Sequence, residues 1–423
     1  MSDLSKITCI EDLRQVYLRK VPTMFVDYCE SGSYTESTFR ANQEDFRKLL
    51  FRQKVARDLS NRTVATQMIG QDVAMPVAIA PTGLAGMQHA DGEILGAKAA
   101  EEFGVPFILS TMSVCSIEDV AQHTNKPFWF QLYVMRDMDF IRRLIDRAKA
   151  ANCSALMITL DLQILGQRHK DIKNGLSTPP KPTLKNILNL ATKPEWCFAM
   201  SKTKRRYMGN IVGHASNVSD MRSLSAWTVE QFDPQLNWDS VKEIMDYWGG
   251  KVIIKGIMET DDAIKAAEIG ADAIVVSNHG GRQLDGAPSS ISVLPEIIQA
   301  VRQAGHNTEI WVDGGVRQGQ DVLRARALGA QGVLIGRPYL YGLGAYGQEG
   351  VYKALELIQK ELDISMAFCG HTDINQVDSH ILRNPELYAP KPQTDKQGAN
   401  TDAQTDVKEP QTEDKGGKDV KKS

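Results

Sequence analysis

Apolar residues along the chain gather into short runs separated by helix-patterned stretches, and the alternation repeats eight times. The runs fall at 76–83, 107–111, 128–134, 155–161, 252–256, 273–277, 309–315 and 332–337. Each is rich in Val, Ile, Leu, Ala or aromatics with little polar interruption, the pattern of a strand buried on both faces. Between them the spacing predicts helices: an Ala-rich stretch over 92–104, one opening at Ser116 with Glu118 and Asp119 in its first turn, then 137–151, 260–269, 291–304, 322–328 and 351–362. Eight strand-helix units in sequence predict an α/β fold, a (β/α)8 TIM barrel over about 76–370. A doubly wound open sheet is the alternative. No G-x-G-x-x-G opens a first helix, however, and polar residues recur at many strand ends instead of one switch point.

Three regions lie outside this rhythm. The first is an N-terminal helical segment. Leu13, Val16 and Tyr17 repeat at helical spacing, Pro22 can start a second short helix, and Asp27 and Tyr28 come just before a stop at Ser31-Gly32. The second is a long insertion after the fourth strand, residues 174–237, too long for an ordinary loop. It begins with a threonine start and helical apolar spacing at 183–188. It continues at 196–208 with aromatics and Met beside Lys202, Lys204, Arg205 and Arg206. That mix suits a segment whose rings enter a lipid headgroup region while its cations meet anionic lipid; a lid or a subunit contact is the alternative. The third is the tail, 390–423, rich in Gln, Thr, Asp, Lys, Gly and Pro, with two valines among its larger apolar residues. It cannot bury a core and is expected to be disordered, leaving 1–389 as the folded domain.

Composition narrows the function classes little. The 423 residues are 42% hydrophobic and carry a net charge of −3, enough for a large core and without a general basic footprint for nucleic acid. Six cysteines lack C-x-x-C spacing and read as reduced thiols, with no zinc site expected. No stretch approaches the roughly 18 apolar residues of a spanning helix.

The chemistry concentrates at the C-terminal strand ends, where a barrel keeps its active site. These ends carry Tyr133, Asp161, Lys255, His279 with Arg282, Asp313-Gly314-Gly315 and Gly336-Arg337, with Arg168 a few residues beyond Asp161. A His can exchange protons near neutral pH, and an Arg fork matches a carboxylate bidentately. Singly, His279 could cap a turn, Arg282 could face water, and Tyr28 could be a packing aromatic. Convergence on one barrel mouth favours a catalytic constellation. Gly-rich turns with Arg317 and Arg337 after the seventh and eighth strands predict a phosphorylated ligand, although each Gly pair alone suits tight-turn geometry.

Ser277-Asn278-His279-Gly280-Gly281-Arg282-Gln283-Leu284-Asp285, with Asp313-Gly-Gly-Val-Arg317, Gly336-Arg337-Pro338, Asp27-Tyr28, Gln131-Leu132-Tyr133 and Asp171-Ile172-Lys173-Asn174, resembles the FMN-dependent L-2-hydroxy acid dehydrogenases and oxidases. The quinone-linked bacterial L-lactate dehydrogenases are the most similar branch. The resemblance runs in order from about Ile10 to Tyr388. It implies FMN as cofactor, with His279 as base and Asp161 orienting its ring. Arg282 and Tyr28 would clamp the substrate carboxylate, with Arg168 close by, and Tyr133 would bond the substrate hydroxyl. Lys255 would sit by the flavin. Ala80, Pro81, Thr82, Ser110, Gln131, Thr159 and Ser277 would contact the flavin, and Asp313, Gly314, Gly315, Arg317, Gly336 and Arg337 the ribityl chain and phosphate. Met112 stands where plant glycolate oxidases have Trp and would shape the wall beside the substrate side chain. Leu162-Gln-Ile-Leu-Gly-Gln-Arg168 departs from the more usual Thr-Pro-Arg-Leu-Gly-Arg-Arg, one charge fewer at Gln167.

The resemblance thus implies oxidation of a small L-2-hydroxy acid, best matched by L-lactate giving pyruvate. Electrons would pass to a quinone from a site at the cytoplasmic face of the inner membrane, reached through 174–237, or in the cytoplasm. A soluble oxidase reducing oxygen to peroxide is one alternative and a non-catalytic FMN-binding barrel another. A homotetramer is expected by family analogy alone. Hydride and carbanion routes need the same base in the same place and stay open.

Overall fold

Each of the eight apolar runs forms a strand in the computed structural model, which describes residues 4–175, 183–215, 218, 231 and 233–389. A short antiparallel hairpin, β1 (Thr66–Met68) and β2 (Gln71–Val73), comes first and was not legible in the pattern. The parallel strands follow: β3 (Val77–Ile79), β4 (Ile108–Ser110), β5 (Trp129–Tyr133), β6 (Ala155–Thr159), β7 (Lys251–Ile257), β8 (Ala273–Val276), β9 (Glu309–Val312) and β10 (Gly332–Ile335). Their order is β3-β10-β9-β8-β7-β6-β5-β4. A parallel bridge between Ile79 and Phe107, with Ile79 N–H donating to Pro106 O at 2.9 Å, brings β3 against the entry to β4 and closes the ring.

The inward faces explain why the site sits where it does. Ala78, Ile108, Trp129, Ala155, Met157, Ile253, Ala273, Val275, Trp311 and Leu334 fill the barrel as one apolar cluster, into which the hairpin inserts Met68 and Val73 from the far end. Trp129 and Trp311 stack at its centre, 5.6 Å apart and 17° from parallel. Because side chains alternate, the next inward positions along the same strands are Ser110, Gln131, Thr159, Lys255, Ser277 and Asp313, all buried. The lining therefore turns from apolar to polar within one strand repeat, and buried polar groups are concentrated at the C-terminal mouth.

Outside the barrel the expected helices appear with small shifts: Gly92–Phe103, Ile117–Ala121, Met138–Ala150, Thr260–Glu268, Ser290–Gln303 and Gly319–Ala327. Ser116 accepts from Asp119 N–H as an N-cap, which fixes the start predicted for that helix. The last helix is longer than expected, Arg337–Phe368, and is broken at Tyr346 and Gly347, where Gly347 adopts φ 60°. Of the N-terminal helices, Ile10–Lys20 buries Leu13, Val16 and Tyr17, and the Tyr17 and Tyr341 rings lie 5.4 Å apart. A third helix, Ser37–Lys48, carried no strong sequence signal; it is followed below because it braces the site.

Within the insertion, Leu184–Ala191 is capped by Thr183 as expected, and Pro194–Lys202 follows. The expectation that 196–208 turns its rings and cations outward holds only in part. Trp196 packs on Phe25 with ring centroids 5.6 Å apart and donates Nε1–H to Met87 O, and Met200 is buried. Arg205 is paired with Asp91 at 3.0 Å and Asp119 at 2.8 Å, and Arg206 donates to the Thr203 and Ser201 carbonyls. Phe198 and Tyr207 of the same segment are 62% and 50% exposed, with Lys202, Lys204 and Arg206 also outward, and a further apolar face lies one helix earlier, where Leu184, Ile187 and Leu188 are 72%, 54% and 62% exposed. Helical spacing could not reveal which ring turns inward, because the partners that bury Trp196 lie far away in the chain. The tail 390–423 lies outside the described residues. Among the described residues no helix is long and apolar enough to cross a membrane.

Candidate active site

A cavity of about 300 Å³ opens at the C-terminal mouth. The loop after β8 enters it through an unusual backbone: His279, Gly280 and Gly281 take φ of 57°, 64° and 76° in succession. A Cβ on Gly281 would lie 2.5 Å from Phe39 N, so the turn requires glycine there. His279 is held in a conformation that non-glycine residues seldom adopt, and its neighbours compensate. Its N–H donates to Ser277 Oγ at 3.1 Å, and Gly281 N–H donates to Asn278 Oδ1 at 3.0 Å.

His279 Nδ1 lies 2.9 Å from Asp161 Oδ1 at the end of β6. A carboxylate only accepts, so Nδ1 carries the proton and Nε2 keeps its lone pair. Burial moves the imidazole below its usual range, against the opposing pull of Asp161. Burial would raise Asp161, but His279 and Lys255 outweigh it and hold the carboxyl below its usual range. The pair therefore stands as neutral imidazole and carboxylate at neutral pH, a base poised to accept a proton.

Lys255 Nζ donates to Ser277 Oγ at 2.8 Å and pairs with Asp313 Oδ2 at 3.2 Å, with Asp161 Oδ2 at 3.9 Å. Burial would neutralise it, yet Asp313 and Asp161 raise it above its ordinary value. A buried cation thus faces the cavity. Ser110, Gln131 and Thr159 form a hydrogen-bonded row beneath: Ser110 Oγ donates to Gln131 Oε1, and Gln131 Nε2 to Thr159 Oγ1, both at 3.0 Å.

One wall carries Arg282, Arg168, Tyr28 and Tyr133. The guanidinium of Arg282 sits 4.6 Å from the Tyr28 ring centre and that of Arg168 5.9 Å. Arg168 Nε donates to Asp171 at 2.6 Å. Burial and the nearby Arg168 lower the Arg282 value, the mark of two cations crowded together where an anion would relieve them. Burial raises the Tyr133 phenol, which stays protonated. Met112, Leu162, Leu165 and Met208 complete this end with apolar surface.

The opposite end is built from Gly314, Gly315, Arg317, Gly336 and Arg337. A Cβ on Gly315 would lie 1.8 Å from Asn42 O, which excludes any larger residue. Gly336 meets nothing closer than 3.8 Å and is not required on that ground. Burial, then the neighbouring Arg317, pushes Arg337 down to about 10. Asp313 Oδ1 is buried with no hydrogen-bond partner among the described residues. Ala80, Pro81 and Thr82 line the cavity between the two ends.

Of the residues singled out in the sequence, Tyr28, Ala80, Pro81, Thr82, Met112, Tyr133, Arg168, Lys255, His279, Arg282, Asp313, Gly314, Gly315, Arg317, Gly336 and Arg337 share this one cavity. Asp161, Ser110, Gln131, Thr159 and Ser277 stand behind its wall and hold the residues on it. Several supports were not foreseen. Gln283 donates to Asp161 O at 2.7 Å and Ile164 O at 2.9 Å, tying the loop after β8 to the loop after β6. Asp285 takes bonds from Thr35, Ser37 and Thr38 at the start of helix Ser37–Lys48. Buried Glu93 accepts from Gly86, Val114 and Cys115 N–H and so fixes the loop carrying Met112. Gln283 and Asp285 were visible as motif letters; Glu93 and Asn42 left no local signal.

An anionic cofactor with a hydroxylated chain fits this donor set: paired guanidiniums and glycines at one end, an unpartnered carboxylate oxygen midway and a buried ammonium facing the space. A model of the family described as FMN-dependent dehydrogenase matches residues 18–384. The L-lactate dehydrogenase of Ectopseudomonas mendocina (strain ymp) is 41% identical over 377 residues, 89% of this chain and 98% of that protein. Among solved structures, the monotopic membrane protein (S)-mandelate dehydrogenase is similar with a TM-score of 0.84 at 33% identity, over 90% of this chain and 100% of that one. A mandelate oxidase is similar at 0.75 and 33%, over 88% and 96%. With the barrel, the cavity and these likenesses in agreement, the chain belongs to the FMN-dependent dehydrogenase family, as an FMN-dependent oxidoreductase acting on 2-hydroxy acids.

Proposed function

We propose that this enzyme oxidises L-lactate to pyruvate with His279 as the base and passes the electrons to a membrane quinone. The observation that carries the first half is the His279–Asp161 pair at 2.9 Å, on a cavity whose wall also bears Arg282, Arg168 and Tyr28. In this reading Arg282 and Tyr28 receive the substrate carboxylate with Arg168 close by, and Tyr133 donates to the hydroxyl oxygen. His279 Nε2 takes a proton from the substrate, and Asp161 stabilises the imidazolium that results. Two protons and two electrons leave the hydroxy acid, which becomes the 2-oxo acid. One of the protons stays on His279, and bound FMN would supply the acceptor for the electron pair and the second proton, to be passed on to the final acceptor. Ala80, Pro81, Thr82, Ser110, Gln131, Thr159, Ser277 and Lys255 would hold its ring side. Asp313, Gly314, Gly315, Arg317, Gly336 and Arg337 would hold the ribityl and phosphate side. The charge on Lys255 favours electron density gathering next to it.

The choice of L-lactate is supported by the relative from Ectopseudomonas mendocina. The apolar end made by Met112, Leu162, Leu165 and Met208 suits a short alkyl side chain. The membrane and quinone are supported by likeness to a monotopic membrane dehydrogenase and by the exposed Leu184, Ile187 and Leu188 beside Lys185. The domain is read as 1–389 with 390–423 as a tail, and the assembly as a homotetramer at the cytoplasmic face of the inner membrane. Likeness to a mandelate oxidase favours the competing reading, electron delivery to oxygen. Anaerobic bleaching of the flavin across a panel of L- and D-2-hydroxy acids tests the substrate. Mixing the reduced enzyme with a quinone analogue or with oxygen tests the acceptor. Fast reoxidation by the quinone analogue is expected; fast reoxidation by oxygen alone, with peroxide formed, would replace the quinone reading.

A further inference from the structure

Helix Thr23–Cys29 ends beside the cavity, and the carbonyls at its C-terminus have no helical partners. Those of Tyr28 and Cys29, and the next two along the chain at Glu30 and Ser31, are met by cations. Arg282 Nη1 donates to Tyr28 O at 2.5 Å, Arg337 Nε to Cys29 O at 2.8 Å and Lys170 Nζ to Glu30 O at 3.1 Å. Ser31 O then accepts from both arginines, from Arg337 Nη2 at 3.0 Å and from Arg282 Nη1 at 3.4 Å. One peptide oxygen thus joins the guanidinium at the substrate end to the guanidinium at the phosphate end. The negative end of the helix dipole adds to the attraction for all of these cations.

One side chain ties the stretch that presents these carbonyls to two other helices. Glu30 receives Arg14 Nε and Nη2 at 3.1 and 2.8 Å on one oxygen, and the Tyr341 hydroxyl on the other. Burial would raise its value, but the bonds from Arg14 and Tyr341 outweigh that and keep it ionised. Arg14 comes from helix Ile10–Lys20 and Tyr341 from the helix that begins with Arg337 itself. Nothing in the chemistry assigned above uses Glu30, which touches neither Arg282 nor Arg337 with its side chain.

We infer that Glu30 is a positioning residue that, through the carbonyls of residues 28–31, sets the aim of Arg282 and Arg337 together, so that substrate affinity and FMN affinity are tuned by one anchor. This rests on the reading of Arg282 as the carboxylate clamp and Arg337 as part of the phosphate site. If the anchor loosens, both guanidiniums lose their register while His279 and Asp161, held by Gln283 and Ser277, do not.

The test uses Glu30→Gln and Tyr341→Phe in the full-length holoenzyme. The former removes the anchor's charge, and the latter removes one bond to it and is the milder change should Glu30→Gln fold poorly. Measured are KM for L-lactate, the rate of flavin reduction at saturating L-lactate, the Kd of FMN for the apoprotein by flavin fluorescence, and the pH profile of reduction. A rise of about tenfold in both KM and FMN Kd is expected for Glu30→Gln, the scale of one weakened charge-assisted hydrogen bond at each end. A smaller rise in both is expected for Tyr341→Phe, with the saturated rate changed less than KM and the pH limb unmoved. Glu30→Asp should recover part of each loss. A variant that melts earlier but keeps both constants, or that changes only one of them, would overturn the shared anchor. Arg282→Lys and Arg337→Lys, run alongside, report on the two guanidiniums themselves: unchanged KM in the first or unchanged FMN Kd in the second would reject the reading of the site instead of the anchor.

Discussion

Asn42 and Asn278 face each other as a closed pair of amides, each donating to the other at 2.8 and 2.9 Å across 236 positions of sequence. Asn278 immediately precedes His279, and Asn42 Oδ1 also accepts from Ser290 N–H. Helix Ser37–Lys48 thereby braces the strained turn that carries His279. Asn42→Ala takes one bond from each end of the buried Asn278 amide, which keeps Gly281 N–H and Pro288 O, and leaves Ser290 N–H without its partner, so it should destabilise the folded enzyme by about 1–3 kcal/mol. Denaturant unfolding of the holoenzyme, compared with a surface control such as Lys48→Ala, checks this.

The pH dependence follows from the sign of the His279 shift. Burial, only partly opposed by Asp161, places the imidazole below its free value of about 6.5, so the base is available above that pH and lost as pH falls through its folded value. The second-order rate of flavin reduction should be flat from about pH 7 upward and fall about tenfold per unit on the acid side. In Asp161→Asn the acid limb should move to still lower pH, since Asp161 is what raises His279, while the plateau itself drops. A limb that moved to higher pH would contradict the assignment. Stopped-flow reduction across buffers of constant ionic strength makes the measurement.

Gly315 is the least replaceable of the glycines that line the cavity beside Arg317 and Arg337. It takes φ 86°, and a Cβ there would sit 1.8 Å from the Asn42 carbonyl oxygen. Gly315→Ala should weaken FMN retention by at least about a hundredfold, as expected when strain and backbone displacement together cost about 3 kcal/mol. Gly336→Ala, in open space by comparison, should be far milder. Flavin absorbance after gel filtration separates the two.

The exposed face of helix Leu184–Ala191 gives a separable prediction about the second half-reaction. Changing Leu184, Ile187 and Leu188 together to Ser removes the apolar surface without touching the cavity. The variant should move from the membrane pellet to the supernatant while L-lactate still bleaches its flavin at the native rate. Trp196→Ala should instead lower stability, by less than the roughly 3–5 kcal/mol of a fully buried aromatic, because its half-buried ring packs on Phe25.

The barrel was legible because its strands are buried on both faces and each announces itself as a local apolar run. The polar C-terminal ends were legible for the same reason: Asp161, Lys255, His279 and Asp313 interrupt those runs abruptly. What escaped was whatever acts at long range through polar contacts. Asn42, Glu30 and Glu93 look like ordinary surface residues in their own helical segments, and only the fold brings them to Asn278, Tyr341 and the loop of Met112. The insertion was legible only in part: Phe198 and Tyr207 do face outward, but Trp196 and Arg205 are claimed by Phe25, Asp91 and Asp119. Its outward face had to be read from which apolar side chains were left over.

The central claim is that His279, oriented by Asp161, removes the proton that lets a 2-hydroxy acid be oxidised. Anaerobic stopped-flow reduction of the FMN in His279→Gln by saturating L-lactate tests it most directly. The glutamine variant should hold its flavin with native affinity, since His279 anchors neither the ring row nor the phosphate end, and should be reduced about 10²–10⁴-fold more slowly. Reduction within a few-fold of the native rate, with FMN fully bound, would contradict the account.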